Sequence, residues 1–220
     1  MIAVAESNTG VSSGTTNYVE TVLTADAQAG DVVVLVLTAA SQALTSVAVT
    51  GGGGSFTEVV DLEHSTEARE IYVWWSVVVT PTATFRVTSQ STSIVRRLVV
   101  YRLSDAKTSA AVTGTPGTSE TTGTSHAVAT TPAVTGALLI GASYGTTGTY
   151  TLDAAWTLAT GWTATTAGVV GHRLGTTAEA YTMTTGTAQT ENVINVLVAI
   201  APAVSFVPRL LLAQGMESMR

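Results

Sequence analysis

The chain has 220 residues, 11% charged and 45% hydrophobic, with a formal net charge of −6 and no cysteine. A disulfide framework and a cysteine-ligated metal site are therefore excluded. With one lysine, Lys107, and only 9 basic residues in all, no basic patch can neutralise phosphates, so nucleic acid is not an expected partner.

Charged residues fall to less than half of the roughly 25% usual in a soluble domain, while mean hydropathy is +0.37 and the pI about 4.9. A surface so poor in charge either touches other protein or is kept wet by hydroxyls. Threonine, roughly a fifth of the chain, supplies hydroxyls and also favours strands.

Residues 1–16 have neither the basic start nor the apolar centre of a signal peptide. They read as an N-terminal extension of an unexported protein. The apolar runs at 32–37, 71–79 and 193–201 are too short to span a bilayer, so no membrane is expected, and their lengths suit buried strands. Helical periodicity is absent before the C-terminus. Short β-branched runs between Gly, Ser, Thr, Asn and Pro clusters predict strands at 17–24, 31–38, 46–50, 56–62, 70–79, 83–88 and 96–103. The string GGGGS at 51–55 lies inside this series. A linker there would leave about fifty residues on its left, too few for a stable core, so it reads as a turn within one fold.

Residues 104–125, rich in Thr, Ser and Gly, read as a long connection. Further strands are predicted at 126–130, 137–144, 157–160, 166–174, 179–185 and 193–201. The two halves repeat one order of elements. GDVVVLVLTAA is matched by GALLIGASYG, SFTEVV by AWTLAT, TATFRVTSQ by AEAYTMTTG, and IVRRLVVYRL by VINVLVAIAP. Two small tandem sandwiches would give this pattern. The preferred reading is a single all-β, jelly-roll-like antiparallel β-sandwich over residues 17–203, whose similar halves (17–103 and 126–203) interleave. Residues 204–220 would follow as an extended C-terminal arm.

The stretches GDVVVLVLT, GGGSFTEVV, IYVWWSVVV, LVVYRLSD, GALLIGASY, DAAWTLATGW and VLVAIAPA, in that order, resemble a β-sandwich family of tailed-bacteriophage virion proteins, notably minor tail proteins of phages of actinobacteria. The resemblance spans most of residues 15–203 and rests on order rather than on any one motif. It implies a sandwich fold and a structural role in a virion assembled in the host cytoplasm.

No catalytic, cofactor-binding or metal motif stands out. Asp61 and Glu63 share one strand face while His64 points to the other, which supplies too few convergent metal ligands. Glu58, Asp61, Glu63, Glu67 and Glu70 cluster in one hairpin and read as a solvated edge rather than a glycosidase pair. Gly141-Ala142-Ser143-Tyr144-Gly145 matches G-x-S-x-G, with Asp153 and His172 following in hydrolase order, but no helical pattern follows the serine. His126 reads as a surface or interface histidine.

In IYVWWSVVV, alternation puts Trp75 on a continuous apolar face, hence in the core. It puts Trp74 on the other face, with Tyr72. Trp74 and Trp162 are thus candidate contacts for a host-surface glycan or for another protein. In the arm, Phe206, Leu210, Leu211 and Leu212 lie beyond the sandwich, and Pro208 stops any continuing strand. They form a candidate subunit interface. The expected function is assembly into a homo-oligomer, a trimer or larger ring, together with other virion proteins, as a minor tail, tail-tip or capsid decoration protein.

Overall fold

The structure, a computed structural model, describes residues 1–13, 16–40, 44–90, 94–145, 149–162 and 167–203. It is all-β, and no helix among those residues is long and apolar enough to cross a membrane. The first eight strands are β1 (Ala3–Ser13), β2 (Tyr18–Ala27), β3 (Val32–Ala39), β4 (Ala48–Thr50), β5 (Thr57–Glu63), β6 (Glu70–Val77), β7 (Thr82–Thr88) and β8 (Val95–Ser104). Six follow: β9 (Gly117–Thr130), β10 (Leu138–Tyr144), β11 (Tyr150–Leu152), β12 (Thr157–Leu158), β13 (Gly168–Leu174) and β14 (Tyr181–Ile200).

The first half forms two antiparallel sheets, β1-β8-β3-β6-β5 and β2-β7-β4. The second half forms the order β11-β14-β10-β13-β12, with β9 also on β14. Here β14 does the work of two strands. Its second part, from Glu191, pairs with residues 117–123 of β9, and its first part, to Gly186, pairs with residues 125–130. The register breaks between those parts, and a break of this kind bends a sheet over its own face.

Reading β9 and β14 each as two strands, the halves have one topology. β8-β3-β6-β5 corresponds to β14-β10-β13-β12, and β2-β7-β4 corresponds to the remaining parts of β9 and β14 with β11. The duplicated order of sequence elements is therefore a duplicated sandwich.

The cores follow from this pairing. Between the two sheets of the first half, Val33, Leu35, Leu37, Tyr72, Trp74 and Val100 pack on Val19, Phe85 and Val87. Inside the second half, Leu139, Leu197 and Ala199 pack on Val128, Met183 and Trp156. The largest cluster lies between the halves, where Val32, Val34, Val36, Val99 and Tyr101 meet Ile140, Val196, Val198 and Ile200. Burying each such aliphatic side chain is worth about 1.5–3 kcal/mol. All of β3 is buried because both faces of its sheet are covered, which is why it reads as an unbroken apolar run.

Several expectations are corrected. No strand ladder joins the halves among the described residues, so they do not interleave; they are two sandwiches packed face to face. The stretch expected as an N-terminal extension, residues 1–16, instead contains β1, the edge strand paired along β8. The supposed long connection is shorter, since β9 already begins at Gly117. The glycine string is, as expected, a turn within the fold, between β4 and β5. Gly51, Gly52 and Gly53 all have positive φ (133°, 68° and 66°), and the Gly52 carbonyl accepts from Val79 and Thr80 N–H at 2.7 and 2.8 Å. A side chain at Gly54 would put its Cβ 2.2 Å from Val77 O.

Candidate functional site

Past Ile200 the chain leaves its sheet and lies along the connection between the sandwiches. Thr113 N–H donates to Ala199 O (2.9 Å), Ala201 N–H to Ala111 O (2.7 Å) and Lys107 N–H to Ala201 O (3.0 Å). Ala203 N–H donates to Asp105 O at 2.5 Å. Pro202 has no N–H to give and sits between two residues that donate, so the ribbon loses no hydrogen bond there.

This ribbon and the loop before β10 wall a groove of about 800 Å³. Ala110, Val112, Ala133, Val134, Ala201 and Pro202 line it, and Lys107 is the charged side chain among its described lining. Val134 is 39% exposed, and the described chain ends in this wall at Ala203.

The expected surface tryptophans are not at the surface. Trp74 is 4% exposed and stacks on Tyr72, with ring centroids 5.1 Å apart and planes 2° from parallel. Because β2-β7-β4 covers that face of β6, the second face of the run is a core too. Trp75, expected in the core, is only partly buried against the cluster between the halves. Trp162 is 5% exposed; its Nε1–H donates to Gly168 O at 2.9 Å, and the Arg97 guanidinium lies 5.3 Å from its ring centre. Neither Trp74 nor Trp162 offers a face for a sugar. Phe206, Leu210, Leu211 and Leu212 lie outside the described residues.

The candidate catalytic groups are not brought together. Ser143 is fully buried near the end of β10, opposite Val169, whereas His172 lies opposite Ile140. The Asp153 carboxylate accepts from Ala155 N–H in its own turn. His64 is buried, with Nδ1 accepting from the Thr66 and Glu67 N–H groups. Asp61 and Glu63 lie on the opposite, exposed side of β5. Burial, then Glu58, raises the Asp61 pKa above its ordinary value. Among the described residues no group of three His, Cys, Asp or Glu is arranged to hold a metal ion.

Sequence reasoning missed two polar systems. In the second sandwich, Ser143 Oγ donates to Asn195 Oδ1 (2.7 Å) and Thr185 Oγ1 donates to Ser143 Oγ (3.1 Å). Asn195 Nδ2 donates to Ser119 and Thr121 hydroxyls at 3.2 and 3.3 Å. Thr121 in turn meets His126 Nδ1 at 2.9 Å. At the seam between halves, the β5–β6 hairpin grips the second sandwich. Arg69 donates to Asn192 O (2.6 Å), Asn192 Nδ2 to Glu67 Oε1 (2.6 Å), and Ser65 Oγ to Glu120 Oε1 (2.6 Å). The Asn192 bond holds the Glu67 pKa below its usual value, and the Ser65 hydroxyl does the same for Glu120.

No family model, curated protein or solved structure matches this chain.

Burial lowers the pKa of both His126 and His172 below 6.5. The unfolded chain then binds those protons first, so their stability contribution is complete above about pH 6.5 and is lost as pH falls through the lower folded values. Glu67 and Glu120 act the same way in a lower window, below about pH 4.5. The melting temperature is expected to fall as pH drops from 6.5 to 5, and a His126→Gln/His172→Gln variant should lose that slope. An unchanged slope in the variant would contradict the assignment.

Proposed function

We propose that this protein is a non-enzymatic structural subunit of a tailed-bacteriophage virion, a minor tail, tail-tip or capsid decoration protein, acting by assembly through its C-terminal arm. The observation that carries the reading is the apolar groove at the point where the arm leaves the sandwich. Supporting it are the low content of charged residues, the resemblance of the element order to that of phage sandwich proteins, and a duplicated fold whose largest core is itself a face-to-face contact between two sandwiches. Its partners are copies of itself and other virion proteins. A glycan-binding role finds no exposed aromatic platform at Trp74 or Trp162.

The test is made in particles. Deleting residues 206–220 from the encoding phage should yield particles that lack the protein, while the purified truncated chain keeps its strand-type circular dichroism. Normal incorporation of the truncated chain would overturn the reading.

A further inference from the structure

We infer that the pocket beside His172, at the seam between the two sandwiches, takes a small neutral aromatic molecule that carries a hydroxyl, of the size of a phenol. It does so independently of assembly through the arm.

The duplication locates the pocket. Gly30 and Gly136, both at positive φ, stand just before β3 and β10. At matching places after them, Val34 lies opposite Trp75 of β6, and Ile140 lies opposite His172 of β13. The next strands agree, since Thr57 faces Trp75 and Thr157 faces His172. His172 therefore stands where the first sandwich has a tryptophan. Both positions look into the seam. Trp75 packs on the cluster between the halves, as do Val170 and Leu174, which share the strand face of His172.

An imidazole lacks the six-membered ring of an indole. Tyr101, whose counterpart is Val198, returns part of that volume from across the seam, its ring meeting the imidazole edge-on at 5.5 Å. Beside His172 there remains a pocket of about 390 Å³. Ile2 and Val4 of the first half wall it, with Leu138 and Leu174 of the second, and Thr157 joins His172 in its lining. A small, mostly apolar pocket with a few polar groups, set between domains, is the usual form of a small-molecule site.

The lining sets the chemistry. No carboxylate is among its described residues, and its two cations are engaged elsewhere. The Arg173 guanidinium lies over the Tyr181 ring at 5.4 Å, and the Met1 ammonium is 3.4 Å from Asp105. The occupant is therefore neutral. His172 Nδ1 is sealed from solvent without a hydrogen-bond partner, and so is Tyr101 Oη. Buried polar groups are ordinarily paired, so two of them in touching rings set this place apart from the rest of the seam. An unpaired acceptor costs less than an unpaired donor, so the neutral imidazole keeps its proton on Nε2. That N–H is the donor left for a ligand. An aromatic ring packs on the imidazole and the apolar walls. Its hydroxyl accepts from Nε2–H and donates to Thr157 Oγ1.

Titration of the full-length chain with p-cresol, followed by backbone amide NMR shifts, tests this. Saturable shifts are expected around His172, Thr157 and Ile2, with a Kd on the order of 1 mM. Toluene, the same ring without the oxygen, should bind about tenfold more weakly. His172→Leu removes the donor and should bring p-cresol to the affinity of toluene. Ala155→Trp fills the rim of the pocket from an exposed turn, which leaves the core intact, and should abolish binding of both. No saturable shift with wild type up to about 10 mM, or unchanged binding by Ala155→Trp, overturns the site. Equal affinity for p-cresol and toluene overturns the hydroxyl-bearing ligand and the role of His172. That comparison needs no variant, so it decides even where His172→Leu does not fold.

Discussion

Replacing Trp74 with alanine is expected to lower the free energy of unfolding by about 3–5 kcal/mol, the cost of emptying a large aromatic site in a packed core. The indole is 4% exposed, lies flat on Tyr72, and belongs to the cluster between the two sheets of the first sandwich. A tryptophan on a binding surface would cost within about 0.5 kcal/mol. Urea denaturation separates the two, with a lower midpoint and an unchanged slope expected for the core residue. A midpoint equal to that of wild type would return Trp74 to the surface.

Replacing Asn195 with leucine should cost about 2–4 kcal/mol, although leucine is similar in size and the site is fully buried. The loss comes from the partners. Ser143, fully buried, loses its acceptor where water does not replace it, and the half-buried Ser119 and Thr121 lose a donor. Ser143→Ala should then cost less in the Asn195→Leu background than in wild type, with a coupling of about 1 kcal/mol or more. Additive losses would show that the two residues do not act as one unit. The same geometry explains Ser143 without chemistry: it sits in a G-x-S-x-G string, yet its hydroxyl is committed to Asn195 and accepts from Thr185.

The strands legible in the sequence are those that carry their own apolar content. β3, β6, β8 and β10 announce themselves as β-branched runs, and the order of elements reveals the duplication. β1, AVAESNTGVSS, and the first part of β9, GTSETTGTS, do not, because they are polar ribbons at an edge. They are strands because β8 and β14 offer them unpaired backbone groups. Without them each half lacks the edge strand of its larger sheet, and two sandwiches read as one with exchanged halves.

Trp74 failed for a related reason. Alternation assigns one face to the core only when the other is wet. In β6 both Ile71, Val73, Trp75 and Tyr72, Trp74 are apolar, which is the mark of a sheet covered on both faces. The polar systems required register. Nothing in the sequence aligns Ser143 with Asn195 fifty residues away, or sets the β5–β6 hairpin against Glu120 and Asn192. The arm could be marked from its apolar residues and Pro208, but the groove that faces its exit needed the fold.

The central claim is assembly through residues 204–220, and light scattering on the purified chain tests it most directly. The full-length protein should have a mass that is a multiple of 22.5 kDa, and the chain ending at Ala203 should be a folded monomer. Equal association by the two chains, or a full-length monomer, would contradict the account.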